Sequence, residues 1–394
     1  MLDFFYERFV LLLSSLNIQY KRYFFNKVDF NDKLIVILGA RGVGKTTFLL
    51  QYLKEINLPL NKKLYISADS IKMSNLSLFE LAKEFSAKGG KVLAIDEIHK
   101  YPDFARQLKE IYDFLDIKVL ISGSSALRLE HAKDDLSRRA VLYKVNGLSF
   151  REFLELKVGK QFKSIPLEEI LKNHVEIAYN ILKSIKPLEH FKEYLQYGFY
   201  PFYFENPNTY YKKLEETINV VVESDLPLIY KIEPKNIIKL KKLIKLICFP
   251  EPYELNLSKL AQKIEINRHT LYRYIEYLNS GNILTSLKPN VKGDAIFTKP
   301  EKIYLNNTNL NYCYCEERKI GTIRETFVVS QLKNLYNLSY PKKGDLLVNN
   351  QYLIEIGGKN KNYSKIGNNG YLLTDDIEVG YDRKIPLWLI GFIY

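Results

Sequence analysis

Residues 39–46 read Gly-Ala-Arg-Gly-Val-Gly-Lys-Thr, directly after the apolar run 34–38 and directly before a stretch of helix-forming residues. This is the spacing G-x-x-x-x-G-K-[ST] of a loop that cradles phosphate. The glycines let successive backbone N–H groups curl around an anion, and the helix N-terminus that follows adds its partial positive charge. In that chemistry Lys45 reaches the β- and γ-phosphates and the Thr46 hydroxyl ligates Mg²⁺. The candidate nucleotide-binding segment is Gly39, Ala40, Arg41, Gly42, Val43, Gly44, Lys45, Thr46 and Thr47. Further on, Lys91-Val-Leu-Ala-Ile-Asp-Glu97 ends a short apolar run in two adjacent carboxylates. Asp96 is placed to hold Mg²⁺ through water, and Glu97 to polarise the attacking water. Together they make ATP and Mg²⁺ the expected cofactors and hydrolysis the expected reaction.

Other residues carry weaker signals. Arg139, preceded by Arg138, is a candidate to neutralise charge on a transferred phosphoryl group, from the same subunit or a neighbour. Ser122-Gly-Ser-Ser125 ends a further apolar run, where a hydroxyl could sense the γ-phosphate or form a simple polar turn. Asn267, Arg268, His269, Tyr272 and Arg273 lie together on a predicted helix and are candidate DNA contacts. Near the end of the chain, Glu325, Asp345, Glu355 and Lys359 resemble the D…(E)xK metal site of restriction-endonuclease-like proteins. There two carboxylates bind Mg²⁺ and a lysine supports the attacking water. Position 357 is glycine, not lysine. Lys359 shares the strand face of Glu355, and Lys361 or Lys365 are alternatives. The departure points to a retained fold without nuclease activity.

The elements that must hold these residues follow from hydrophobic periodicity. Apolar segments at 34–38, 63–67, 92–95, 118–122 and 141–145 alternate with helical ones, which predicts a parallel sheet with helices on both faces. Residues 1–30 read as an amphipathic helical lead-in. From 149 to about 247 apolar residues recur at helical spacing, broken by Tyr197-Gly-Phe-Tyr-Pro201. Asp225, before Leu-Pro, marks a helix boundary. Helices at 258–264 and 268–278 around a tight turn, then strands at 284–287 and 295–298, read as a winged helix-turn-helix. The expected fold class is α/β, a P-loop NTPase sheet followed by a helical and winged-helix region and a small α/β tail. The expected domains are 1–150, 151–247 (helical connector), 248–312 (winged helix) and 313–394 (restriction-endonuclease-like).

Composition sets outer limits. At 394 residues and 46% hydrophobic, the chain has ample material for packed cores. Its formal charge of +13 suits a polyanionic partner, although a Lys-, Asn- and Tyr-rich composition also produces it. Cys248, Cys313 and Cys315 form no CxxC pair, so neither a disulfide framework nor a structural zinc site is expected. No apolar run reaches the roughly 20 residues that cross a bilayer. With no secretory signal visible, the expected location is cytoplasmic.

In combination these motifs resemble a bacterial and archaeal family of AAA-type P-loop ATPases that ends in a domain of unknown function. The resemblance rests on GARGVGKTT (39–47), VLAIDEIHKYPDF (92–104), LISGSSA (120–126), LSFREFL (148–154), YLQYGFYP (194–201), RETFVVSQL (324–332) and GDLLV with EIGGK (344–359). It implies ATP chemistry on Lys45, Thr46, Asp96 and Glu97, with Arg139 at the position of the family's Gly-Arg arginine. Arg138 replaces that glycine, and His99 stands where the family often has Gln. A DNA or protein partner and homo-oligomerisation are both compatible with it.

Overall fold

A computed structural model describes residues 2–16, 20–123, 136, 138–248, 257–290, 302–363, 367 and 370–394. Of the residues singled out above, Ser124, Ser125, Ala126, Lys365 and the second expected wing strand (295–298) lie outside this set. Two compact units divide the chain, Met1–Asn146 and Gly147–Tyr394.

The first unit is built on a five-stranded sheet in the order β2-β3-β4-β1-β5. Its strands are β1 (Leu34–Gly39), β2 (Lys63–Ser67), β3 (Val92–Asp96), β4 (Lys118–Gly123) and β5 (Ala140–Val145), and every pairing is parallel. Leu34 to Leu38 and Val92 to Asp96 are buried throughout, as strands covered on both faces must be. The helices are α1 (Leu2–Ser15), α2 (Lys45–Glu55), α3 (Leu78–Ala87) and α4 (Phe104–Phe114). The side chain of Ser77 caps α3 by accepting from the Glu80 N–H. Because the strands are parallel, all their carboxyl ends lie along one edge, which therefore collects the phosphate loop, Asp96, Glu97 and Ser122.

The second unit opens with α5 (Phe150–Val158), started by a capping box between Ser149 and Glu152 and closed by Gly159 at φ 68°. Then come α6 (Leu167–Leu182), α7 (Pro187–Tyr197), α8 (Tyr210–Val220), a π-helical turn Val221–Asp225, α9 (Leu226–Tyr230) and α10 (Pro234–Ile247). The break after Tyr197 is fixed from a distance. Asn309 Nδ2 donates to the carbonyls of Tyr194 and Leu195 at the end of α7, and its Oδ1 accepts from the Phe199 N–H. Helices α11 (Leu257–Ile264) and α12 (Arg268–Ser280) meet at a turn where Glu265 is left-handed, φ 58°.

β6 (Leu284–Leu287) pairs antiparallel with β7 (Lys302–Leu305). The run Lys-Ile-Tyr-Leu is buried at every position, which alternation could not reveal. After α13 (Thr308–Tyr314) and α14 (Ile320–Leu332) comes a second five-stranded sheet, in the order β12-β11-β10-β9-β8. Its strands are β8 (Leu338–Ser339), β9 (Leu346–Val348), β10 (Tyr352–Gly357), β11 (Gly370–Thr374) and β12 (Lys384–Pro386). β10, β11 and β12 run parallel, whereas β8 and β9 are antiparallel additions. Phe150, Phe191, Tyr194, Phe327 and Phe392 form a joined aromatic core beneath these elements.

The expectation of no disulfide is overturned. Cys248 and Cys315 are bonded, with Cα atoms 5.2 Å apart and a separation of 67 positions in sequence. The pairing is tertiary: the residue after α10 and the residue after α13 come together, and no local spacing announces it.

Candidate nucleotide-binding site

The phosphate loop joins β1 to α2 as the motif requires. Gly42 (φ 82°) and Gly44 (φ 94°) adopt the left-handed conformation that costs other residues a steric penalty. Val43 between them is wholly buried and anchors the loop. Arg22, which no sequence motif marks, also holds it, with Nη1 donating to the Val43 and Asn146 carbonyls at 2.9 Å each. Lys45 is only 4% exposed. Its ammonium donates to the loop's own carbonyls, Gly39 O at 3.1 Å and Ala40 O at 2.9 Å. A buried cation at the first turn of α2, behind a glycine loop, fits a polyphosphate.

Asp96 is the best-satisfied group in the site. Its Oδ2 accepts from Thr46 Oγ1 at 2.5 Å and from the Tyr65 hydroxyl at 2.9 Å. Its Oδ1 accepts from Ser122 Oγ and from the Glu97 N–H. Thr46 and Asp96, expected from the sequence to be the metal pair, are in direct contact. Tyr65 was missed: nothing in Lys-Leu-Tyr-Ile-Ser distinguishes its hydroxyl from a core tyrosine's. Burial, and then the Asp96 carboxylate, push the Tyr65 hydroxyl far above its ordinary pKa, so it stays a donor. Ser122 is brought in because β4 lies between β1 and β3. It is fully buried and its hydroxyl donates to Asp96 Oδ1.

Glu97 follows in a left-handed conformation, φ 51° and ψ 39°, at the head of the turn Ile98–Lys100. Its N–H also reaches Ser122 Oγ at 3.2 Å. His99 is wholly buried with Nε2 3.4 Å from Glu97 Oε2.

Arg139 is elsewhere. In the parallel register Leu34 faces Ala140 and Gly39 faces Val145, so Arg139 sits at the amino edge of the sheet, opposite the loop. The strand length alone separates them by about 17 Å. There Arg139 forms a two-pronged pair with Asp113, Nε to Oδ1 at 2.9 Å and Nη2 to Oδ2 at 3.0 Å. The guanidinium holds the Asp113 carboxyl below its usual range. A catalytic role for Arg139 within its own subunit is thereby corrected, because the sheet stands between.

On α12, Arg268, His269, Tyr272 and Arg273 are exposed on one side. Arg268 lies over the Tyr272 ring, 5.7 Å from its centroid. Asn267 is instead spent as the helix cap, its side chain accepting from the Thr270 N–H at 2.8 Å.

The tail acids do gather. Glu325 accepts from Lys302 Nζ at 2.6 Å and from the Tyr304 hydroxyl at 2.8 Å. Asp345 Oδ2 accepts from the Ile356 N–H at 2.8 Å. Glu355 is fully buried, and its partner is Lys361, Nζ to Oε1 2.6 Å, rather than Lys359. The Lys361 stem runs through the space a side chain at 357 would fill, since a Cβ on Gly357 would lie 2.6 Å from its Cδ. Burial raises the Glu325 pKa. Burial would lower that of Lys361, but Glu355 and the neighbouring acids hold it above its ordinary value. Two lysines thus neutralise most of the charge a cation would otherwise balance. Among the described residues no group of three ligating side chains is arranged to hold a metal.

No helix among the described residues is long and apolar enough to cross a membrane. Residues 31–154 match an AAA domain and residues 188–316 match a domain of unknown function (DUF8612). An uncharacterised protein of Methanocaldococcus jannaschii is 27% identical over 94% of this chain and 88% of its own. Among solved structures, AMPPCP-bound DnaA from Aquifex aeolicus is 15% identical, with TM-score 0.26 over 65% of this chain and 84% of that one. The Hsp104-ADP complex of S. cerevisiae is 17% identical, with TM-score 0.28 over 70% and 39%. Neither structural likeness is close enough to argue from. The phosphate loop and the parallel sheet of the first unit lie within the AAA domain that residues 31–154 match.

Proposed function

We propose that the chain binds ATP with Mg²⁺ and hydrolyses it, coupling nucleotide state to binding of a nucleic-acid or protein partner. The observation that carries this reading is the direct contact of Thr46 with Asp96 beside a buried Lys45. Bound Mg²⁺ would draw charge from the β- and γ-phosphate oxygens; Thr46 and Asp96 are the residues that would hold it. Lys45 would exchange its two neutral carbonyl acceptors for phosphate oxygens, a stronger, charge-assisted contact. Glu97 would accept the proton of the attacking water. Arg139 can serve only a neighbouring copy, so this reading implies a homo-oligomer.

The four-part division at 150, 247 and 312 is kept as the functional layout. In it, Arg268, His269, Tyr272 and Arg273 form the surface for duplex DNA, with the net charge of +13 favouring a polyanion. The tail serves as a scaffold in which Lys302 and Lys361 offset most of the acids' charge, without nuclease activity. The test is ATP turnover by the full chain, with and without duplex DNA. Wild type should turn over ATP, and Glu97→Gln should bind ATP but lose turnover. Absence of Mg²⁺-dependent turnover by the oligomeric wild type under both conditions would refute the reading.

A further inference from the structure

Arg22 lies outside every sequence motif, yet it is fastened to the middle of the phosphate loop. One nitrogen, Nη1, donates at 2.9 Å to the carbonyls of both Val43 and Asn146, which are 21 and 124 positions away. Local structure prepares this reach. Arg22 precedes the short turn Tyr23–Lys27 in an extended conformation, φ −66° and ψ 146°, and its own carbonyl accepts from the Phe25 N–H at 3.0 Å. Phe24 and Phe25 of that turn pack on Phe48, with ring centroids 5.1 and 4.7 Å apart. Phe48 belongs to α2, the helix that Lys45 begins. Asn146 follows β5, whose Val145 pairs with Gly39 so closely that a Cβ on Gly39 would lie 2.6 Å from the Val145 oxygen. The guanidinium therefore ties the loop to the strand end beside it.

The contact on Val43 has a chemical consequence. The Val43 carbonyl and the Gly44 N–H belong to one trans peptide unit, so they point to opposite sides of it. A cation on the oxygen polarises the unit and makes the N–H at its other end a stronger donor. Gly44, at φ 94°, is the N-cap of α2, so this N–H is among those that a loop and helix start offer to an anion. We propose that Arg22 is a positioning residue for phosphate binding. It fixes the curvature of the loop through Val43 and strengthens the Gly44 N–H, acting from the opposite side of the peptide. The inference rests on the nucleotide-binding part of the reading above and deepens it.

ATP and ADP share the β-phosphate that such a loop surrounds, so losing this effect should weaken both alike. In calorimetric titrations with Mg²⁺, Arg22→Met should raise both dissociation constants about tenfold. Its kcat at saturating ATP should stay within about twofold, because Lys45, Thr46, Asp96 and Glu97 are untouched. NMR reads the peptide directly. Labelling valine carbonyls with ¹³C and glycine nitrogens with ¹⁵N selects the Val-Gly pairs, which occur only at Gly44, Gly159 and Gly380. One of these amide signals should move in Arg22→Met while the other two stay. Dissociation constants within about twofold of wild type, or three unmoved signals, overturn the proposal. So does an affinity lost in step with the urea midpoint, since Arg22 would then be only a staple. If Arg22→Met does not fold, Arg22→Gln keeps an amide donor without the charge, and the same measures decide at about threefold or more. A wild type that binds neither ATP nor ADP strikes the parent reading and this proposal with it, whereas one that binds without hydrolysing strikes hydrolysis alone.

Discussion

Replacing Lys45 with Met removes the ammonium and keeps the stem, and the structure separates its two consequences. In folding, the lost bonds include those to Gly39 O and Ala40 O. Both acceptors belong to partly exposed residues, so water can replace the donor. The cost to folding should be about 1 kcal/mol or less. In the bound state the same ammonium would meet two phosphates, and hydrogen bonds to charged groups contribute about 1.5–3 kcal/mol each. Losing two gives about 3–6 kcal/mol, or roughly 10²–10⁴ in Kd. Calorimetric titration of ATP in Mg²⁺ measures the affinity, and urea denaturation of the same preparations measures the fold. A Lys45→Met protein that binds ATP within about threefold of wild type would refute the reasoning. So would one whose lost affinity is matched by lost stability, because the defect would then be structural.

Two further outcomes follow from the second unit. Cys248→Ser or Cys315→Ser opens a closure of 67 residues, worth about 4 kcal/mol in chain entropy. The urea midpoint of wild type should fall on reduction to that of either variant; a midpoint indifferent to reductant contradicts it. Lys333 Nζ is held by Thr285 Oγ1 at 3.0 Å, and burial lowers its pKa to about 7. Between there and the ordinary 10.5 the unfolded chain carries a proton that the folded one lacks. The stability Lys333 contributes therefore rises with pH across that window and is lost as pH falls toward 7. Lys333→Met should flatten the slope of urea midpoint against pH between these values, and an unchanged slope would exclude Lys333 as its source.

Much of the first unit was legible because its signals are local. The strands at 34–38, 63–67, 92–95, 118–122 and 141–145 reappear within a residue or so of their observed bounds. Continuous apolar runs bounded by glycine or charge leave little choice in a parallel sheet. Asp96 could be paired with Thr46 for the same reason: strand ends on one edge must meet. The order of strands was not legible. β4 lies between β1 and β3, so Ser122 became a ligand of Asp96. Likewise Tyr65 reaches Asp96 because β2 adjoins β3, a neighbour relation that no periodicity encodes.

The chain by itself determined the phosphate loop, the paired carboxylates, the α/β alternation and the two helices around the turn at Glu265. Each is a short-range pattern whose chemistry travels with its residues. Tertiary structure decided what those patterns face. It set Arg139 at the far edge of the sheet against Asp113. It joined Cys248 to Cys315, and it put Lys361, rather than Lys359, on Glu355 over the gap at Gly357. Such contacts depend on which strands adjoin and on how a side chain finds unfilled space. Those quantities exist only once the whole unit has packed.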